Sequence, residues 1–234
     1  MHGPLSDLAI VALRALPLAS PLAALLASLR ASATTANPLL WYVTRAAAVS
    51  AYITLSCTAA LGIWRSLGRV TRRRVSWLLD EAHQYLALLT AAFILLHLLA
   101  LVFDPLIPFA PLNLLVPLGE PYRPFAVDLG VLTLYALVIV LVSSWLRRSL
   151  SFASWRALHY VSFVAFVLVT LHGLLAGSDA GQPWMRLVYI GASLAVGLLV
   201  IMRLMTPTPH PTGPRLPATG RGTASARPPT QTPV

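Results

Sequence analysis

The 234-residue chain has no lysine, one cysteine and only seven acidic residues. Cys57 on its own cannot form an internal disulfide, ligate an iron–sulfur cluster or supply the C-x-x-C-H attachment of c-type haem. There is no G-x-G-x-x-G or Walker loop, so a dinucleotide or nucleoside triphosphate would lack its usual backbone cradle. Charged residues make up only 10% of the chain. Against this, 57% of the residues are hydrophobic and the mean hydropathy is +0.76, which excludes an ordinary soluble domain and places the chain in a lipid bilayer. The net charge of +10 comes from seventeen arginines. They lie between long apolar runs rather than on a polar, aromatic-rich face, so they speak for membrane orientation and against a nucleic-acid partner.

A transmembrane helix needs about 20 mostly apolar residues. Six runs qualify: 8–29, 39–64, 82–103, 125–146, 157–176 and 184–205. Arg14, Pro17 and Pro21 interrupt the first, where a secretory signal peptide is the competing reading. Residues 1–7 carry no Lys or Arg, which argues for a retained helix. The loop after the second span holds Arg65, Arg69, Arg72, Arg73 and Arg74, and the loop after the fourth holds Arg147, Arg148 and Arg156. With the C-terminal arginines, 12 fall on one side against 4 on the other, which predicts a multi-pass plasma-membrane protein with both termini cytoplasmic. Six prolines between 104 and 124 exclude a regular helix there and predict an outer loop lying over the helix ends. Residues 206–234 are rich in Pro, Thr and Arg and read as a disordered cytoplasmic tail. Residues 216–220 match the sortase anchoring pattern, but no hydrophobic span follows them. Three divisions result: an N-terminal helix and outer loop at 1–38, a membrane domain at 39–205 and the tail.

Four of six histidines lie inside predicted spans, where an ionisable side chain is costly and a functional reading is the default. His83 and His97 are separated by 14 residues, or about 21 Å of helix rise; His159 and His172 are separated by 13, or about 20 Å. The third and fifth spans run in the same direction. His83 therefore matches His159 in depth near the cytoplasmic side, and His97 matches His172 near the outer side. Two imidazoles at one depth on facing helices can fill both axial positions of a haem iron, and two levels imply two stacked b haems. At about 100° per residue the first pair is only about 40° out of line along its helix, whereas the second is about 140° out. A straight helix does not satisfy that second pair; it needs a bulge, a kink or haems turned relative to each other. Two other classes stay open. One is a His-lined metal-ion or proton transporter, which would want carboxylates or Cys that the fifth span lacks but which Asp80 and Glu81 before His83 keep open; the other is a structural partner whose histidines only pack.

The run Trp155-Arg156-Ala157-Leu158-His159, followed by His172 and preceded two spans earlier by His83 and His97, resembles the ferric reductase-like transmembrane domain. That superfamily includes ferric reductases, the NADPH oxidase membrane core and the haem-binding subunit of the periplasmic methionine sulfoxide reductase system. The resemblance covers about residues 39–205. It implies an all-α six-helix bundle in which His83 and His159 hold an inner b haem and His97 and His172 an outer one. It further implies electron transfer outward, from a separate cytoplasmic flavoprotein or a quinol to a ferric chelate, oxygen or a reductase partner protein. No flavin or nicotinamide site is expected in this chain.

Arg45, near the outer end of the second span, can pair with propionates of the outer haem or snorkel to the interface. Arg156, three residues before His159, has the same choice at the inner level. Phe166 falls between the two levels, where core packing is its expected role. Gly173 and Gly177 form a small-x-x-x-small step that admits a macrocycle or a neighbouring helix.

Overall fold

A computed structural model describes residues 21, 24, 28, 38–68, 73–104, 109, 111–117 and 123–206. Among them every regular element is helical: α1 (Leu39–Ser66), α2 (Arg73–Phe103), α3 (Pro124–Trp145) with a 3-10 turn at Leu146–Arg148, α4 (Phe152–His159), α5 (Val161–Ala176) and α6 (Pro183–Met205). Together they make five stretches of 23 to 29 residues long and apolar enough to cross a membrane, with α4 and α5 forming one of them. At about 1.5 Å per residue each exceeds the roughly 30 Å hydrocarbon core. The expected span at 8–29 and the tail beyond 206 lie outside the described residues.

The helix boundaries have local causes. Proline opens α3 and α6, where its fixed φ suits the first turn and its missing N–H costs nothing. Ser151 caps α4 by accepting a hydrogen bond from the Ser154 N–H at 3.1 Å. The polar residues of α1 are compatible with lipid because Thr54, Ser56 and Thr58 donate to carbonyls four residues back at 2.7–2.8 Å.

The centre of the bundle is α1, which packs against α2 along its length and also against α5 and α6; α5 packs on α3. Tyr52, Ile63, Phe166, Met185, Tyr189 and Val196 form the main core cluster. Phe166 stacks on Tyr52 with ring centres 6.2 Å apart, so it packs as expected. A Cβ at Gly173 would strike the Tyr189 hydroxyl, so that glycine admits a side chain of the neighbouring α6 rather than a macrocycle. Of the Pro-rich segment, the described residues Phe109 and Leu114 are buried against Val127 and Val131 in the first turns of α3.

In contrast, α2 and α5 do not pack against each other along their lengths. Each leans mainly on a different neighbour, α2 on α1 and α5 on α3.

Arginine bias predicts which end of this bundle is cytoplasmic. In a Cys57→Ser background, a cysteine at Ser76 should react with a thiol reagent only after the membrane is permeabilised, and one at Asn113 should react from outside. External labelling at Ser76 would invert the orientation.

Candidate functional site

Three of the four membrane histidines are tethered in the same way. His83 Nδ1 lies 2.9 Å from the Thr58 carbonyl oxygen, His97 Nδ1 lies 3.0 Å from that of Thr44, and His172 Nδ1 lies 2.6 Å from that of Ala126. A carbonyl only accepts, so in each case Nδ1 carries the proton and donates it. Each Nε2 is then an unprotonated lone pair, the form in which imidazole binds a metal, with the carbonyl fixing ring orientation and raising basicity.

The tethers also sort the histidines by depth. Both partners in α1 belong to the antiparallel α1/α2 pair, Thr44 at one end and Thr58 at the other. His83 and His159 face each other across the gap with ring centres 6.2 Å apart and planes inclined at 56°. A ring-centre separation near 6 Å leaves room for one metal ion between a nitrogen of each ring, each bonded at about 2 Å.

At two of the three tethers a glycine four residues on gives the ring room, whereas the Thr44 tether has Ala48 in that place, and sequence reasoning missed both glycines. A helical carbonyl at residue i points towards residue i+4, so a ring reaching it passes in front of the Cβ position there. Glycine occupies that position after Thr58 and after Ala126. A Cβ at Gly62 would meet His83 Cε1 at 3.0 Å, and one at Gly130 would meet His172 Cε1 at 2.8 Å and Nδ1 at 2.9 Å. The available signal was a glycine inside an apolar span, unfavourable for a helix unless something approaches closely.

The fifth span is interrupted within the 13-residue step from His159 to His172. The helix is interrupted at Tyr160, between α4 and α5, where the Phe163 N–H bonds to the Tyr160 carbonyl at 3.1 Å in a tightened turn. His159, the last residue before the interruption, has its ring turned towards His83.

The predicted arginines are placed differently. Arg45 grips Asp179 through two hydrogen bonds and lies over the Trp41 ring with its Cζ 4.1 Å from the centroid. Asp179 comes from the α5–α6 connection, and with Tyr42, Val49 and Trp184 the pair lines a cavity of about 490 Å³. Arg156 is exposed and lies over Phe152, 5.4 Å from the ring centre. At the inner level the structure adds two residues that sequence reasoning did not single out: Trp155 stacks on His159, and Arg147 lies over Trp155. Asp80, one of the carboxylates that favoured a metal transporter, is engaged by Arg65 at 3.0 Å. Among the described residues no three His, Cys, Asp or Glu side chains gather as they would around a bare metal ion.

Compared with known proteins, residues 47–170 match the model of a family described as ferric reductase-like transmembrane component. The matched segment contains His83, His97 and His159 and stops two residues before His172. No curated protein and no solved structure matches the chain.

Proposed function

Because this chain belongs to the ferric reductase-like transmembrane family, we propose that it is a bis-His, di-haem b-type membrane cytochrome that carries electrons from a cytoplasmic flavoprotein or quinol to an extracytoplasmic acceptor. The acceptor class is a ferric chelate, oxygen or a reductase partner protein. The observation that carries the reading is the tethering of His83, His97 and His172 through Nδ1 to backbone carbonyls, which leaves three Nε2 lone pairs directed away from their own anchors.

When bound, haem supplies one-electron chemistry at its iron. The chain supplies the rest. His83 and His159 serve the inner level, and His97 and His172 the outer one. Thr58, Thr44 and Ala126 hold three of these rings in one tautomer, while Gly62 and Gly130 leave two of them room. The separation of α2 from α5 provides the slot, and the apolar residues of the bundle exclude water. Arg45 and Arg156 are the candidate cations for propionates. For Arg45 this role means sharing its guanidinium with Asp179 or releasing it. The helix expected at 8–29 completes a six-span bundle.

A visible absorption spectrum is the direct test. Protein purified from haem-replete cells should carry about two extractable haems per chain and show a dithionite-induced change in the Soret region. A colourless preparation would sink the reading.

A further inference from the structure

His159 differs from the other three membrane histidines in how it is held. Its Nδ1 is buried and has no hydrogen-bond partner among the described residues. What holds the ring is stacking. Trp155, one helical turn earlier on α4, lies with its ring centre 5.1 Å from that of His159 and its plane inclined by 25°. Arg147, from the 3-10 turn after α3, lies over the same indole with its Cζ 4.4 Å from the ring centre. The Trp155 indole N–H is itself buried without a partner among the described residues, so packing rather than hydrogen bonding fixes it. The result is a continuous stack from an exposed guanidinium through an indole to the imidazole that faces His83 at 6.2 Å.

We propose that Trp155 and Arg147 are positioning residues for His159: Trp155 sets the plane of a ligand ring that no hydrogen bond orients, and Arg147 sets a fixed positive charge behind it that favours the reduced state of the inner centre. The proposal rests on the haem reading above. Its physical basis is that an imidazole donating from Nδ1 to a carbonyl becomes more basic and stabilises the oxidised metal. His159 has no such acceptor among the described residues. A cation nearby acts in the same direction, because adding an electron lowers the positive charge it faces. Both features ease reduction at the level nearest the arginine-rich loops.

The test uses the purified holoprotein and two readouts other than turnover, the midpoint potential of each haem component and the largest g value of each ferric signal. That g value follows the angle between the axial imidazole planes. R147Q should lower the reduced-to-oxidised ratio of one component about tenfold at fixed ambient potential, equivalent to about 59 mV for one electron. The affected component should be the one that His83→Ala removes. W155L should shift the g value of that component, and W155F, which keeps an aromatic face, should restore it. The other component should stay unchanged in all three variants. Arg147 is exposed, so R147Q keeps the proposal open to refutation should W155L fail to accumulate. Two haems present with R147Q leaving both potentials unmoved, or moving both equally, would overturn the proposal while leaving the haem reading intact. A wild-type protein without haem would overturn both.

Discussion

Replacing His83 or His159 by alanine is expected to abolish one and the same redox component, and replacing His97 or His172 the other. The basis is depth. His83 is tied to Thr58 and faces His159 at 6.2 Å, whereas His97 is tied to Thr44, fourteen residues nearer the start of α1. In the proposed cytochrome each single substitution would take away one of the two histidines that hold a haem and should empty its own level, taking haem content from about two per chain to about one. Potentiometric titration of the four variants reads the outcome. If His83→Ala and His159→Ala eliminated different components, the pairing would be wrong even in a protein that binds haem.

Gly130→Ala should be nearly as damaging to the outer level as loss of His172 itself, although it adds only a methyl group. The new Cβ would stand 2.8 Å from Cε1 and 2.9 Å from Nδ1 of His172, closer than carbon atoms pack. The imidazole is the movable partner, and its retreat breaks the 2.6 Å bond to the Ala126 carbonyl. Loss of such a ligand-orienting bond typically weakens metal binding about 10- to 100-fold. Gly62→Ala should act on the inner level more weakly, since its Cβ would meet His83 at 3.0 Å. Gly191 and Gly197 of α6 face open space, so alanine there should leave haem content unchanged. Haem-to-protein ratios for the four variants provide the check. Equal retention in Gly130→Ala and Gly197→Ala would mean that the close approach of ring to helix has no part in ligation.

Much of the architecture is written along the chain, because the bilayer imposes a length and an apolar composition that can be read without knowing any contact. Four of the five described spans begin and end close to the runs picked out by hydropathy, apart from a short extension of the fifth to include α4. The third begins earlier than expected, at Arg73, because a helix continues through polar residues beyond the hydrocarbon where apolar composition no longer marks it. The matched spacing of the histidines was legible for the same reason, since helix rise turns residue count into depth. Direction around a helix was not. An uninterrupted helix puts His159 and His172 on different sides, and the interruption at Tyr160 between them carries no proline or glycine to announce it. Nor does a one-dimensional pattern reveal partners distant in sequence: Thr58 with His83, Ala126 with His172, Arg45 with Asp179. Sequence alone determined that these helices are long and apolar enough to cross a membrane and how far apart along them the histidines stand. Only the tertiary structure decided which carbonyl fixes each tautomer, which glycine lets a ring approach, and that His159 is held by an indole instead, because those depend on which helices come to lie side by side.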